Sequence, residues 1–160
     1  LSIKEEASYF DYCVQSADYQ VARMVEGLEG REDGKHEWEM NPHELNAYFS
    51  VMENIMVFPA GILQAPYYRN EVPLYLNYGA IGAIIGHELI HGFDTLGSNY
   101  DSKGNLRMWW SMSSWADFEN RTSCLIDFYN DYSYEGLHVD GTHTQAENVA
   151  DIGGLKQTFH

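Results

Sequence analysis

His87-Glu88-Leu89-Ile90-His91 decides how the chain is read. It lies in a run from Tyr78 to Phe93 that is apolar almost all round, through Ala80, Ile81, Ala83, Ile84, Ile85, Leu89 and Ile90. Such a run predicts a helix over 78–93 that is buried on every side. Residues four apart lie one turn apart on the same helix face, so the imidazoles of His87 and His91 reach a single ion together. With this chain's own usage of His and Glu, chance gives about 0.03 occurrences of the five-residue pattern. Two imidazoles and a carboxylate in so apolar a helix are costly unless paired or metal-bound. A zinc site is therefore preferred over a hydrogen-bonded core pair of histidines.

A catalytic zinc takes three protein ligands and keeps a fourth position for water. Glu147-Asn148-Val149-Ala150-Asp151 offers the third, again with a spacing of four. One of its carboxylates can bind the metal while the other takes the free ring N–H of a ligating histidine. Thr144-Gln145-Ala146-Glu147 also fits a capping box, in which Glu147 would only hold its own helix end. His36, His43, His138, His143 and His160 lack the pair spacing and read as surface groups.

Outward from the motif, apolar residues at 3, 7, 10, 14, 17, 21, 24 and 28 predict a long amphipathic helix over 1–30, with Ser2 and Glu5 as its cap and Gly30 as its stop. Residues 29–35 read as a surface loop. Within 44–64, Asn46 to Phe49 and Ile55 to Phe58 read as strands of a small sheet, punctuated by Pro59 and Gly61. A helix is predicted over 112–133 behind Ser111-Met112-Ser113-Ser114, and a last one over 144–158. Asn120-Arg121-Thr122 is a glycosylation sequon. The expected class is α+β, mainly helical, with a small sheet beside the His-Glu-x-x-His helix.

Composition excludes several functions. Nine Lys and Arg against 24 Asp and Glu give a net charge of −15, with no basic cluster. Nucleic acid is therefore not an expected partner, and neither is direct contact with an anionic membrane. No apolar run approaches the roughly 20 residues of a spanning helix. The opening Leu1-Ser2-Ile3 has neither an initiator Met nor a signal-like run, so the chain reads as a piece of a longer polypeptide. Two cysteines, Cys13 and Cys124, do not define a disulfide scaffold.

Four blocks occur in order: Asn46-Ala47-Tyr48-Phe49-Ser50, Val57-Phe58-Pro59-Ala60-Gly61-Ile62-Leu63-Gln64, Gly86-His87-Glu88-Leu89-Ile90-His91-Gly92-Phe93-Asp94, and Glu147-Asn148-Val149-Ala150-Asp151-Ile152-Gly153-Gly154-Leu155. Together they resemble the neprilysin and endothelin-converting enzyme family of zinc metalloendopeptidases. The resemblance is strong after about residue 44 and weak before it. It implies a thermolysin-like core holding one Zn2+ per chain, with His87, His91 and Glu147 as ligands. Glu88 would be the general base and Asp151 the partner of His87. Asn46 and Ala47 match the segment that holds the substrate backbone, and Ile62, Tyr67, Ala83 and Ile84 match the pocket for the residue after the scissile bond. Short peptides cut on the amino side of hydrophobic residues would be the substrates.

The same resemblance implies an extracellular or cell-surface location, as the ectodomain of a single-pass membrane protein, or a secreted form. It implies as partner the remainder of the same polypeptide. The family's transition-state histidine and substrate-binding arginine lie beyond the glutamate motif, outside these residues. The cysteine matching Cys124 pairs, in the family, with one near the carboxyl end, and Cys13 has no matching partner. Glu53 stands where an arginine is usual, Thr95 where a second acid often follows Asp94, and Ala83 is smaller than the usual pocket residue. The competing classes are a non-catalytic zinc or peptide-binding domain, which would have no need of Glu88, and a heptad-driven assembly module on residues 3–28.

Overall fold

In the structure, a computed structural model that describes residues 8–28 and 38–160, the chain divides into two units, Leu1–Glu39 and Met40–His160. The described element of the first is helix α1, Tyr9–Leu28. Ser8 and Asp11 open it reciprocally: Asp11 N–H donates to Ser8 Oγ at 3.2 Å and Ser8 N–H donates to Asp11 Oδ2 at 2.9 Å. Phe10, Val14, Val21 and Met24, members of the predicted apolar stripe, are exposed. The cap expected at Ser2 and Glu5, the stop at Gly30 and the loop over 29–35 lie outside the described residues.

The second unit is mainly helical with two small antiparallel sheets. Strands β1 (Tyr48–Ser50) and β2 (Ile55–Val57) pair with Tyr48 opposite Val57 and Ser50 opposite Ile55. Helix α2 (Leu74–Asn77) runs through a wide π turn at Tyr78–Gly82 into helix α3 (Ala83–His91). Helix α4 (Met112–Asn130) starts on Ser111, whose Oγ accepts from Ser114 N–H at 3.1 Å. The short strands β3 (Ser133–Tyr134) and β4 (Leu137–His138) separate it from helix α5 (Gln145–Phe159).

The helix read from the sequence over 78–93 differs from the observed one in two ways. Its helical backbone begins at Leu74, ends at His91 and is interrupted by the π turn, which holds Gly79 and Gly82, residues with little helix preference. Around that turn, Ile81 N–H donates to the Tyr67 carbonyl at 3.0 Å, tying the 59–68 segment to the helix. Nor is the helix buried all round: Ile85 and Leu89 are each 42% exposed, because the described residues cover only the face that meets α5 and β1. Hydrophobicity reports a tendency to be covered, not which element does the covering.

The core is small and lies where α3, α5 and the hairpin converge, with Ala47, Val57, Pro59, Ile62, Ile81 and Ala150 buried. The α3 and α5 helices form the main interface of the unit. They meet backbone to backbone: a Cβ on Gly86 would stand 2.5 Å from the Gly154 carbonyl oxygen, and one on Gly154 would overlap the amide of His87. This approach sets the level of α5 against α3 and so the place of Glu147 and Asp151. Among the described residues no helix is long and apolar enough to cross a membrane.

The close approach fixes the sign of a substitution. In an open helix Gly→Ala stabilises by about 1 kcal/mol, whereas forcing a methyl between two backbones costs about 1–3 kcal/mol. Gly154→Ala is therefore expected to lower the thermal unfolding midpoint; a raised midpoint would contradict the packing described.

Candidate functional site

His87 and His91 project from one face of α3, and each ring is held by a carboxylate at its Nδ1. His87 Nδ1–H donates to Asp151 Oδ1 of α5 at 2.8 Å. His91 Nδ1–H donates to Asp94 Oδ2, just past the helix end, at 2.7 Å. Asp94 is almost wholly buried, and its second oxygen, Oδ1, accepts the N–H groups of Leu96 and Gly97, both at 2.7 Å. An ionised carboxylate only accepts, so each Nδ1 carries the proton and each Nε2 keeps a lone pair. Those two Nε2 atoms face each other at 2.8 Å. Glu147 Oε2 completes the cluster, 3.4 Å from His87 Nε2 and 3.7 Å from His91 Nε2.

Two lone pairs and a carboxylate oxygen converging in this way repel one another unless a cation lies among them. All three ligand atoms are within 4.8 Å of one another. Two neutral imidazole nitrogens with one carboxylate oxygen are a donor set that suits zinc. The residues present thus fit the metal. A proton competes for the same lone pairs: the hydrogen bond to Asp94, joined by the charges of Asp94, Glu147 and Glu88, raises the pKa of His91 against the opposing effect of burial.

The capping-box alternative for Glu147 is resolved by Thr144. Its hydroxyl donates to the Asp140 carbonyl at 3.0 Å and accepts from Asn148 Nδ2 at 2.8 Å, making no side-chain cap, so Glu147 is left to face the histidines. Glu88 is one residue on from His87 and so turned about 100° from it. Glu88 is buried, and burial pushes its carboxyl above the usual range; His91 and His87 oppose the rise and Glu147 adds to it.

Two cavities meet at this cluster. One, of about 410 Å3, is walled by the chain from Asn46 to Phe49, by His91 and by Glu147. The other, of about 270 Å3, is walled by Ile62, Tyr67, Ala83 and Ile84. Asn46, His87 and Glu88 border both, which puts Glu88 at the junction. A larger concavity of about 650 Å3 beside Asn54, Tyr100 and Arg107 has one carboxylate, Asp101, already engaged by the N–H groups of Lys103 and Asn105. It has no donor set of this kind.

Residues 46–160 match the family model described as Peptidase family M13. The chain belongs to peptidase family M13. Its M13 relatives include an endothelin-converting enzyme homolog of Locusta migratoria, 43% identical over 160 residues, covering 100% of this chain and 22% of the relative. Neprilysin-11 of Caenorhabditis elegans is 43% identical over 161 residues, covering 99% and 19%. Among solved structures, the Mycobacterium tuberculosis zinc metalloprotease Zmp1 in complex with inhibitor superposes with a TM-score of 0.82 at 40% identity, over 87% of this chain and 22% of that one. The chain thus spans about a fifth of the length of the relatives it matches.

The structure brings together every site residue named from the sequence: His87, His91, Glu147, Glu88 and Asp151 in the cluster, Asn46 and Ala47 along one wall, and Ile62, Tyr67, Ala83 and Ile84 in the second cavity. Asp94 has no role that the sequence alone assigns. Its signal was the spacing of three from His91, which keeps it on the same side of a chain just leaving its helix. Cys13 and Cys124 are free and exposed.

Removing a carboxylate that orients a ligating histidine commonly weakens metal binding about 10–100-fold. Asp94→Ala is expected to lose zinc affinity to that extent, measured by competition with a chromophoric chelator. Affinity equal to the parent's would show that Asp94 does not orient His91.

Proposed function

We propose that this chain is the metal-binding part of a zinc-dependent endopeptidase that acts on short peptides. His87, His91 and Glu147 hold one Zn2+, Asp151 and Asp94 orient the two histidines, and Glu88 is the general base. The observation that carries this reading is the pair of Nε2 atoms facing each other at 2.8 Å beside Glu147, with a buried Glu88 at the junction of two cavities. The zinc metalloprotease among the solved relatives supports the choice of metal.

Bound at the three donors, zinc supplies Lewis-acid polarisation of water and of the scissile carbonyl. Glu88, whose carboxyl is raised by burial, accepts the proton of the attacking water and passes it to the leaving amine. A base whose pKa lies nearer the working pH does both halves of that transfer more effectively than an ordinary carboxylate. The backbone at Asn46 and Ala47, just ahead of β1, aligns the peptide across the 410 Å3 cavity. The cavity of Ile62, Tyr67, Ala83 and Ile84 receives the hydrophobic side chain that follows the cleaved bond.

The remaining apolar exposure points to a covering partner. Leu74, Tyr75, Tyr78, Leu155 and Phe159 are all at least half exposed and cluster around the free sides of α2 and α5. With the chain spanning about a fifth of its relatives, the rest of the same polypeptide is the proposed cover, and with it an enclosed site. We propose for the whole protein an extracellular or cell-surface location, as an anchored ectodomain or in a secreted form, a reading that the likeness to endothelin-converting enzymes supports.

Two measurements test this function in the full-length polypeptide. Glu88→Gln is expected to cut turnover by at least about 10²–10⁴-fold while zinc content is unchanged; turnover near the parent's would remove the base assignment. Ala83→Leu fills part of the 270 Å3 cavity and is expected to lower kcat/KM for peptides with Phe after the cleaved bond about 10–200-fold relative to Ala. An unaltered ratio would place the specificity pocket elsewhere.

A further inference from the structure

We propose that residues 100–107, in the loop beyond the metal helix, are a positioning device that locks the β1–β2 hairpin, and with it the backbone at Asn46 and Ala47, in register with the His91 end of α3. The proposal rests on the substrate-holding role given to Asn46 and Ala47 above.

The loop is rigid in itself. Tyr100 pairs with Leu106 in an antiparallel bridge, Arg107 N–H donates to the Asn99 carbonyl at 3.0 Å, and Asp101 Oδ1 accepts from Lys103 N–H at 2.9 Å and Asn105 N–H at 3.0 Å. It is also tied to the metal helix. From His91 the chain passes through Asp94, whose carboxylate caps Leu96 and Gly97 and whose carbonyl accepts Ser98 N–H at 2.9 Å, directly into Tyr100. The residue that orients His91 therefore also anchors the root of the loop.

The tip of the loop seats on the turn between β1 and β2. Gly104, at φ +73°, lies so close under that turn that a Cβ would overlap the Met52 carbonyl oxygen. Asn54, itself at φ 54°, donates through Nδ2 to the Ser102 carbonyl at 3.3 Å. The hairpin has a second seat at the metal helix: the Phe49 ring lies where a Cβ on Gly92 would be 3.1 Å from it. A strand of three residues has little register of its own, and a slip by one residue turns every side chain to the other face. Two seats, both leading back to the segment that carries His91, supply what the short strand pair lacks.

Gly104→Ala and Asn54→Gly test this in the zinc-loaded full-length polypeptide; the second keeps the left-handed backbone and removes only the amide, so folding is spared. The readouts are amide hydrogen exchange across Tyr48–Ser50 and Ile55–Val57, zinc content, and KM and kcat for an extended peptide. Hairpin exchange is expected to rise about tenfold with α3 exchange and zinc content unchanged, and KM to rise about tenfold with a smaller change in kcat. Unchanged hairpin exchange in both variants, or exchange rising equally in α3 with zinc lost, would overturn the clamp. Faster hairpin exchange with KM unmoved would overturn its link to substrate. A zinc-loaded parent that cleaves no peptide would instead defeat the proposed function, while the exchange data would still decide the clamp.

Discussion

The rest of the site depends on two nitrogens that should not be neighbours. His87 and His91 point their Nε2 lone pairs at each other across 2.8 Å because their protons are held at the far side of each ring, by Asp151 and Asp94. Without those carboxylates either ring could turn its N–H toward the other and the repulsion would become a hydrogen bond. With them, both Nε2 atoms are turned to one point, where a metal ion or the competing proton relieves the repulsion. The two aspartates thus present both Nε2 lone pairs to a metal rather than to each other's ring N–H.

The local parts of this arrangement were legible in the sequence because their geometry is set within one helix turn. His87 and His91, or Glu147 and Asp151, need only helical backbone to share a face. Spacing alone does not decide whether Glu147 meets the histidines or caps its own helix, since that turns on the level at which α5 meets α3; the family resemblance is what names it a ligand. Gly86 and Gly154 set that level, and nothing in a linear reading pairs one with the other. Asp94 was missed for a related reason: it acts from beyond the last helical residue, where periodicity no longer places a side chain. The all-round burial expected of 78–93 is not observed because apolar content does not say what will lie against it, and the described residues leave Ile85 and Leu89 each 42% exposed.

The two orienting carboxylates do not have equal standing. The Asp94 side chain is 4% exposed and fixed by two backbone N–H groups, whereas those of Asp151 and Glu147 are 65% and 66% exposed. The His91 arm is therefore built from α3 and its exit alone. The His87 arm exists only when α5 is docked. Since α5 contributes one proposed ligand and one orienting group while α3 contributes two proposed ligands and the proposed base, a cation shared by Glu147 and the histidines would tie the two helices across the glycine contact. Metal binding and helix docking would then stabilise each other by linkage, each more favourable in the presence of the other.

The site stands on a small core. The buried apolar set is short, and much of the apolar surface is open. Precision comes instead from direct backbone approach and from buried hydrogen bonds to charged groups, which have narrow distance ranges where hydrophobic contact has a broad one. Glu88 gains from the same economy of parts. Buried at the junction of the two cavities, it is desolvated enough to raise its carboxyl, so the packing around the donors also tunes the proposed base beside them.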